Sequence, residues 1–467
     1  MKKPLSFTLM LGLAGCMSAP PPPDAAIASP ATYRYAANGA AGADDTSDWW
    51  RSFGSDELDN LVARASTGNY DVAAALARVQ QARANARIAG AALYPNVEGF
   101  ADASREAGFS INDTLPSGNA FDLGVAASYE LDLWGRNRAL RDAARANARA
   151  SGFDRATVTI TITADVANTW LQSVALRERE HIAEANLQTA RRLLAVVESQ
   201  WRAGFAGPLD VAQQRTLLAA QQRQLAQLRQ QSNDSEAALA LLSGVPASGF
   251  DIATRTLAGV RAPAIDAGLP STLLARRPDV AANEARLAAA HADVAAARAA
   301  MLPSLTLTAY AGTGSDRAVR IFDNPLYSVA AALTAPIFNA GSLAAGRDLA
   351  LAQQEEMLAA YRQSIVAAFT DVERALNATA GVDAQSAAQD NELREARRTL
   401  HLAESRYGAG AATSLDVLDA QRTLYAAEDE HVQLHLARLQ AAVSLYRALG
   451  GGWRNSEVSA ARAGPDS

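Results

Sequence analysis

The chain has 467 residues, 49% of them hydrophobic but only 6% aromatic, and a net charge of −6. That balance excludes the basic patch of a nucleic-acid surface, and one cysteine excludes an internal disulfide. The apolar share is largely alanine, and long Ala/Leu/Arg/Gln/Glu stretches favour long, closely packed helices.

Lys2 and Lys3 precede an apolar run from Leu5 to Ala14, which is too short to span a bilayer. It ends in Leu13-Ala14-Gly15-Cys16, which resembles a bacterial lipobox. Residues 1–15 read as a lipoprotein signal peptide, with Cys16 left to carry a covalent lipid, and no other cofactor is expected. Met17 stands where the inner-membrane retention cue would place Asp, which implies delivery to the outer membrane. Residues 16–48 read as a lipid-anchored tether and arm, with a proline-rich stretch at 19–23. Trp49 and Trp50 precede a short helix ending near Ser66, and a second helix runs from Tyr70 to about Leu93, stopped by Pro95.

From Asn96 to Leu133 helical periodicity gives way to Gly, Ser, Thr and Asp. Over Phe121–Leu133, apolar residues from Phe121 through Val125 and Tyr129 to Leu133 alternate with mostly polar ones such as Asp122, Ser128 and Glu130. Period two over that length fits a tilted membrane strand with lipid on one side and water on the other. No apolar run after the signal reaches a helical span, so any spanning part must be strands closed into a barrel. Weaker counterparts lie at 304–312 and 326–335, ending at Pro336, with loops near 108–119 and 313–325. The two β-hairpins thus occupy about 96–133 and 304–336.

Each hairpin precedes a helical stretch with almost no breaker, Arg136–Arg202 and Leu343–Tyr407. At 1.5 Å per residue, roughly 65 residues make a rod of about 100 Å. Gly-rich turns at 202–208 and 408–413 reverse the chain into shorter helices, about 209–242 and 414–449. A Pro/Gly-rich connector fills 243–270, and residues 450–467 form a C-terminal tail.

The pattern occurs twice. Asn69–Ala74 returns as Arg277–Ala282, with Asp71 and Asp279 about 208 residues apart. Leu93–Pro95 returns as Met301–Pro303 at the same shift, and Leu209–Val211 returns as Leu415–Val417 at a shift of about 206. The first repeat therefore spans 49–242 and the second 271–449, each building the same substructure. Four strands cannot close a barrel, and open edges are not tolerated in lipid, so further copies must complete it.

The chain resembles the TolC-like outer-membrane factors, in their lipoprotein branch serving RND-type drug-efflux pumps. The marks are Asp48-Trp49-Trp50-Arg51, Glu57-Leu58-Asp59, and Tyr129-Glu130-Leu131-Asp132-Leu133-Trp134-Gly135-Arg136. Leu269-Pro270-Ser271, Leu274-Ala275-Arg276-Arg277-Pro278-Asp279-Val280, Ala335-Pro336-Ile337-Phe338 and Leu415–Gln421 complete the series. The resemblance implies an α+β membrane protein of duplicated half-repeats. It further implies a homotrimer, with a twelve-stranded outer-membrane β-barrel, a twelve-helix periplasmic α-barrel and an equatorial connector. The implied function is a passive exit duct for drugs or other toxic small molecules. Its implied partners are a periplasmic adaptor protein, an inner-membrane transporter and outer-membrane lipid, without nucleic acid.

Asp416 and Asp419 are three apart just past the second turn, so they share a helix face. In a trimer they would form stacked acidic rings at the periplasmic mouth, where the resemblance puts the gate; the plain alternative is stabilisation of a helix N-terminus. Asp210 holds the equivalent place of Asp416 and either caps its helix or bonds across to Tyr407. Arg202 and Arg406 are the nearby cations. Gly204, Gly207, Gly408 and Gly410 permit tight reversals, and the resemblance makes these tips the adaptor-docking points.

An enzyme is the first competing class, but no Walker loop, Gly-x-Ser-x-Gly or Cys/His cluster occurs. His431 and His435 share a helix face without a third ligand and read as surface histidines rather than a metal site. Two other readings keep part of the pattern: a duct for protein secretion, and a periplasmic coiled-coil lipoprotein without a pore. The second leaves the paired hairpins unexplained.

Overall fold

The computed structural model describes residues 25, 27–35, 48–106, 118–263 and 265–454. Cys16, the proline-rich tether, most of the loop at 108–119 and most of the C-terminal tail lie outside the described residues. The elements run α1 (Asp56–Gly68), α2 (Tyr70–Ala91), β1 (Asn96–Glu106), β2 (Gly118–Leu131), α3 (Arg136–Arg202) and α4 (Pro208–Leu242). They continue α5 (Pro270–Leu273), α6 (Pro278–Ala299), β3 (Ser304–Ser315), β4 (Pro325–Thr334), α7 (Ser342–Gly408) and α8 (Ser414–Ala448). The duplication is visible in lengths: α2 and α6 have 22 residues each, α3 and α7 have 67, and α4 and α8 have 35.

The compact units do not follow the repeats. One comprises Arg78–Gly152 with Ala282–Gln363; the other comprises Ile27–Ala77, Phe153–Ala281 and the chain from Ser364. Each unit draws matching pieces from both halves, because equivalent elements pack side by side rather than each half closing on itself.

The first unit holds one antiparallel sheet in the order β1-β2-β3-β4. The register sets Phe100 opposite Gly124, Gly124 opposite Gly312 and Gly312 opposite Leu326, so residues of like parity share a face across all four strands. The odd face carries Val97, Val125, Tyr129, Leu307, Tyr327 and Val329, while the even face carries Glu98, Asp102, Asp122, Ser128 and Glu130. Tyr327 is 84% exposed and Val329 78%, which is apolar surface that water does not favour. Among the described residues β1 and β4 each pair on one side only. No helix among the described residues is long and apolar enough to cross a membrane. Where β2 gives way to α3, the Asp132 carboxylate accepts the N–H groups of Asn137 (3.0 Å) and Arg138 (2.9 Å), satisfying donors that a helix start leaves orphaned.

The second unit has the larger core. Trp170 and Leu171 of α3, Leu239 of α4 and Leu439 of α8 pack fully buried with Phe53 and Leu58. The connector is fastened to this core rather than trailing across it. Glu57 accepts Trp170 Nε1 (2.9 Å) together with the N–H groups of Ala253 and Thr254, and Glu178 accepts the N–H of Leu257 (2.8 Å). Gly244 and Gly450 both have positive φ, and a Cβ on either would collide with a carbonyl oxygen, that of Gly68 for the first and of Arg276 for the second. The same close approach recurs in both halves, so the duplication extends to backbone packing.

Candidate functional site

The tips of the two helical hairpins belong to the second unit, and their chemistry follows from how each helix ends. α3 closes with Gly204 at φ 80°, the Phe205 N–H bonding Gln200 O (2.8 Å) and the Gly204 N–H bonding Trp201 O (3.0 Å). α7 closes identically, with Gly410 at φ 74°, the Ala411 N–H on Arg406 O (2.8 Å) and the Gly410 N–H on Tyr407 O (3.0 Å). This is the Schellman closure, which needs a left-handed residue and favours glycine. Gly207 and Gly408 act differently: Gly207 is the extended N-cap of α4 at φ −95°, and Gly408 is the last residue of α7.

The outgoing helices also start alike. Asp210 Oδ2 accepts the Gly207 N–H at 2.7 Å, and Asp416 Oδ2 accepts the Thr413 N–H at 2.7 Å. Thr413 adds its hydroxyl, donating to Asp416 Oδ2 (2.8 Å) and accepting the Asp416 N–H (3.3 Å). Hydrogen bonds from the Thr413 backbone, then from its side chain, hold the Asp416 carboxyl below its ordinary range. Asp416 thus caps its helix. Asp419, one turn on, is exposed and lies 3.8 Å from Arg422.

At the tips, two side-chain bonds among the described residues cross between the hairpins. The Ser414 hydroxyl donates to Asp210 Oδ1, and the Tyr407 hydroxyl donates to Gln200 Oε1. Of the two roles expected for Asp210, the structure gives capping, and its cross-tip partner is Ser414 rather than Tyr407. Capping fixes one carboxylate oxygen on Gly207, which leaves the other facing the start of α8. Tyr407, just before the turn, reaches α3 instead. The Ser414 hydroxyl, followed by the Gly207 N–H, holds the Asp210 carboxyl low. Burial, followed by the Asp210 charge, pushes the Tyr407 phenol up. The two groups are close enough to feel each other without bonding. Arg202 and Arg406 bond carbonyls of their own hairpins, Glu198 O and Ala411 O, both at 3.2 Å.

Higher on the hairpins lies a relay that sequence reasoning missed. Gln214 of α4 donates to Gln421 of α8 (3.3 Å), Gln421 donates to the Tyr425 hydroxyl (3.4 Å), and Tyr425 donates to Asn186 O of α3 (3.2 Å). All three bonds are buried, and burial lifts the Tyr425 phenol to about 12, helped by Glu428 and Glu404. Arg179 and Asp429 add a paired contact at 2.7 and 3.0 Å between α3 and α8. A glutamine or tyrosine in an Ala/Leu-rich helix was the only available sign. His431 lies 3.5 Å from Asp390, and His435 is half-buried; no three-ligand metal cluster occurs among the described residues.

Residues 61–245 and 269–451, one stretch per repeat, match the outer membrane efflux protein family. The chain belongs to that family. It is 48% identical over 466 residues to the pyoverdine export outer membrane protein OpmQ of Pseudomonas aeruginosa, covering 98% of both chains. It is 31% identical to the cation efflux system protein CusC of Escherichia coli K12, covering 96% of this chain and 99% of that one. Its fold is similar to the open-state MtrE outer membrane channel of Neisseria gonorrhoeae, with a TM-score of 0.83 at 28% identity over 94% of this chain and 99% of that one. This efflux protein is therefore an outer-membrane channel of TolC-like fold, and its family is one of export ducts rather than of enzymes.

Proposed function

We propose that this efflux protein works as a homotrimer in which three four-stranded sheets close one twelve-stranded barrel. The observation that carries the reading is the sheet itself, apolar on one face, carboxylate-bearing on the other and open at both edges. The α3, α4, α7 and α8 helices of three copies then form a twelve-helix periplasmic tunnel. Small molecules pass outward through it from an inner-membrane transporter, by way of a periplasmic adaptor that docks on the turns at Gly204, Gly207, Gly408 and Gly410. Acylated Cys16 anchors each copy.

In the resting duct the Asp210–Ser414 and Tyr407–Gln200 bonds hold the second hairpin of each copy against the first. Asp416 and Asp419 then ring the constricted mouth, where carboxylates favour cations. The cargo follows the pump that delivers it. Identity of 48% along nearly the whole chain to a pyoverdine export outer membrane protein favours a pyoverdine-like molecule over a metal ion.

Single-channel recording in planar bilayers tests the duct. Wild type is expected to give small cation-selective currents, and Asp210→Ala larger or longer openings. A folded protein that never conducts would remove the pore. Currents indifferent to Asp210→Ala and to Asp416→Ala/Asp419→Ala would keep the pore and move the gate elsewhere. For cargo, the culture medium of a deletion strain is expected to lack a small molecule that the complemented strain secretes.

A further inference from the structure

We propose that a cavity in the second unit, walled by α3, α6, α7 and α8, binds a small oxyanion-bearing molecule through Arg374 and Arg447. The cavity measures about 560 Å³, within the range of small-ligand sites. Arg277, Arg374, Arg447, Asn168, Thr161 and Ser444 all line it.

The three arginines are not equivalent. Arg277 is spent: Nε and Nη2 hold Asp279 at 2.9 and 2.6 Å, and Nη1 reaches Asp371 at 2.9 Å and Ala448 O at 3.4 Å. Burial opposes the Asp279 charge, but Arg277 outweighs it and holds that carboxyl low. One buried guanidinium thus takes both oxygens of Asp279 and one oxygen of Asp371.

Arg374 and Arg447 are exposed to solvent at the cavity's open side. Neither forms an ion pair with a described residue. Burial pushes the Asp165 carboxyl up, and the charge of Arg447 pulls against it. On the α3 wall, Asn168 Oδ1 is buried without a hydrogen-bond partner among the described residues. The cavity therefore presents solvent-open guanidinium donors from α7 and α8 and, from α3, a buried acceptor without a described partner. A molecule bearing a carboxylate or phosphate, with a hydroxyl or amine beside it, satisfies both. Ser444 and Thr161 offer further hydroxyls to its oxygens.

The segment at 27–35 borders the same cluster. Tyr33 is buried, with Glu373 and Arg277 acting on its phenol, and the Arg34 N–H donates to Glu373 Oε1 at 2.9 Å. An occupied cavity thus sits beside the arm that leads back to Cys16.

The test is isothermal titration calorimetry of the purified full-length protein in detergent with inorganic phosphate and, separately, citrate. It compares wild type with Arg374→Ala, Arg447→Ala and Arg229→Ala, the last an arginine paired outside the cavity with Glu180 and Glu184. Binding is expected in wild type and Arg229→Ala and roughly tenfold to a hundredfold weaker in each cavity variant, the range for a hydrogen bond to a charged group. A preference between the two probes identifies carboxylate or phosphate as the recognised group. Should Arg447→Ala fail to fold, Arg447→Lys with Arg374→Ala carries the comparison. No heat with either probe, or equal binding in the cavity variants, overturns the site. The assay does not depend on conductance, so the duct stands or falls separately.

Discussion

The two hairpin tips share a backbone and differ in what they display. Both end the incoming helix on a left-handed glycine, and both cap the outgoing helix with a carboxylate three residues in. At the common shift of about 206, Trp201 corresponds to Tyr407, Phe205 to Ala411, Gly207 to Thr413 and Pro208 to Ser414. The first tip holds Phe205 86% exposed, whereas the second offers hydroxyls. At the tips the first repeat supplies the acceptors, Gln200 and Asp210, and the second supplies the donors, Tyr407 and Ser414, whereas higher up Gln214 and Arg179 of the first repeat donate to the second. After duplication the tip backbone stayed symmetric while the donors and acceptors at the tips separated. That separation lets one copy of the fold grip the other.

The largest way to break the comparison is at the backbone. Gly204→Val and Gly410→Val each force a β-branched residue into a left-handed conformation, at a cost of about 1–3 kcal/mol. Hydrogen exchange is expected to show similar fraying at both tips; a one-sided effect would mean that the turns are not equivalent. Next comes the pair Asp210→Ala and Asp416→Ala. Asp210 loses a cap and the Ser414 link, about 1–2 kcal/mol together at so exposed a site, and a several-fold rise in channel open time is expected. Asp416→Ala loses a cap alone and is expected to open the channel less; the reverse order would place the latch on the second tip.

Removing the donors sharpens the same point. Ser414→Ala and Tyr407→Phe should each cost about 0.5–1.5 kcal/mol, and a double-mutant cycle of Asp210→Ala with Ser414→Ala should show coupling. Additive effects there would dissolve the bond as an energetic unit. The smallest effect is that of pH. Asp210 has a folded value below its unfolded one, so its contribution is complete above about pH 4–5 and fades as acid carries it through the lower value. Tyr407 has the opposite sign: its contribution is complete below about pH 10 and is lost as pH rises through its raised folded value. Open time is therefore expected to be flat between those limits, and a transition below about pH 6.5 would implicate another group, His435 first, whose imidazole burial holds low.

Much of the fold was legible because long elements announce themselves by what they lack. Arg136–Arg202 contains almost no breaker, and α3 has those bounds. The strands were harder. β3 runs to Ser315, past the expected end at Gly312, because Gly312 and Gly314 have little strand propensity of their own and are held by β2 opposite. Phe100 and Tyr310 cover this glycine row, 5.5 Å apart; a Cβ at Gly124 would come within 2.9 Å of the Phe100 ring. The capping of Asp210 and Asp416 was legible from their place after a turn. Their partners were not, since the Ser414, Gln200 and Gln214–Gln421 bonds join residues more than 200 apart, which no local pattern encodes; only the Gln421–Tyr425 link, four residues apart, is local. Arg277 was noted as part of a motif, but nothing in the motif revealed that one guanidinium would hold two carboxylates from different helices.

The unpaired sides of β1 and β4 reach beyond the finished channel into its manufacture. A newly secreted copy carries two rows of free backbone donors and acceptors beside an apolar face, the arrangement most prone to indiscriminate strand addition. In a closed ring each copy must offer one sound edge to each neighbour. In the proposed trimer, a single copy with a proline set into the free edge of β4 would stop closure for the two sound copies it meets. One damaged allele expressed beside a healthy one would then remove far more than half of the cell's export capacity.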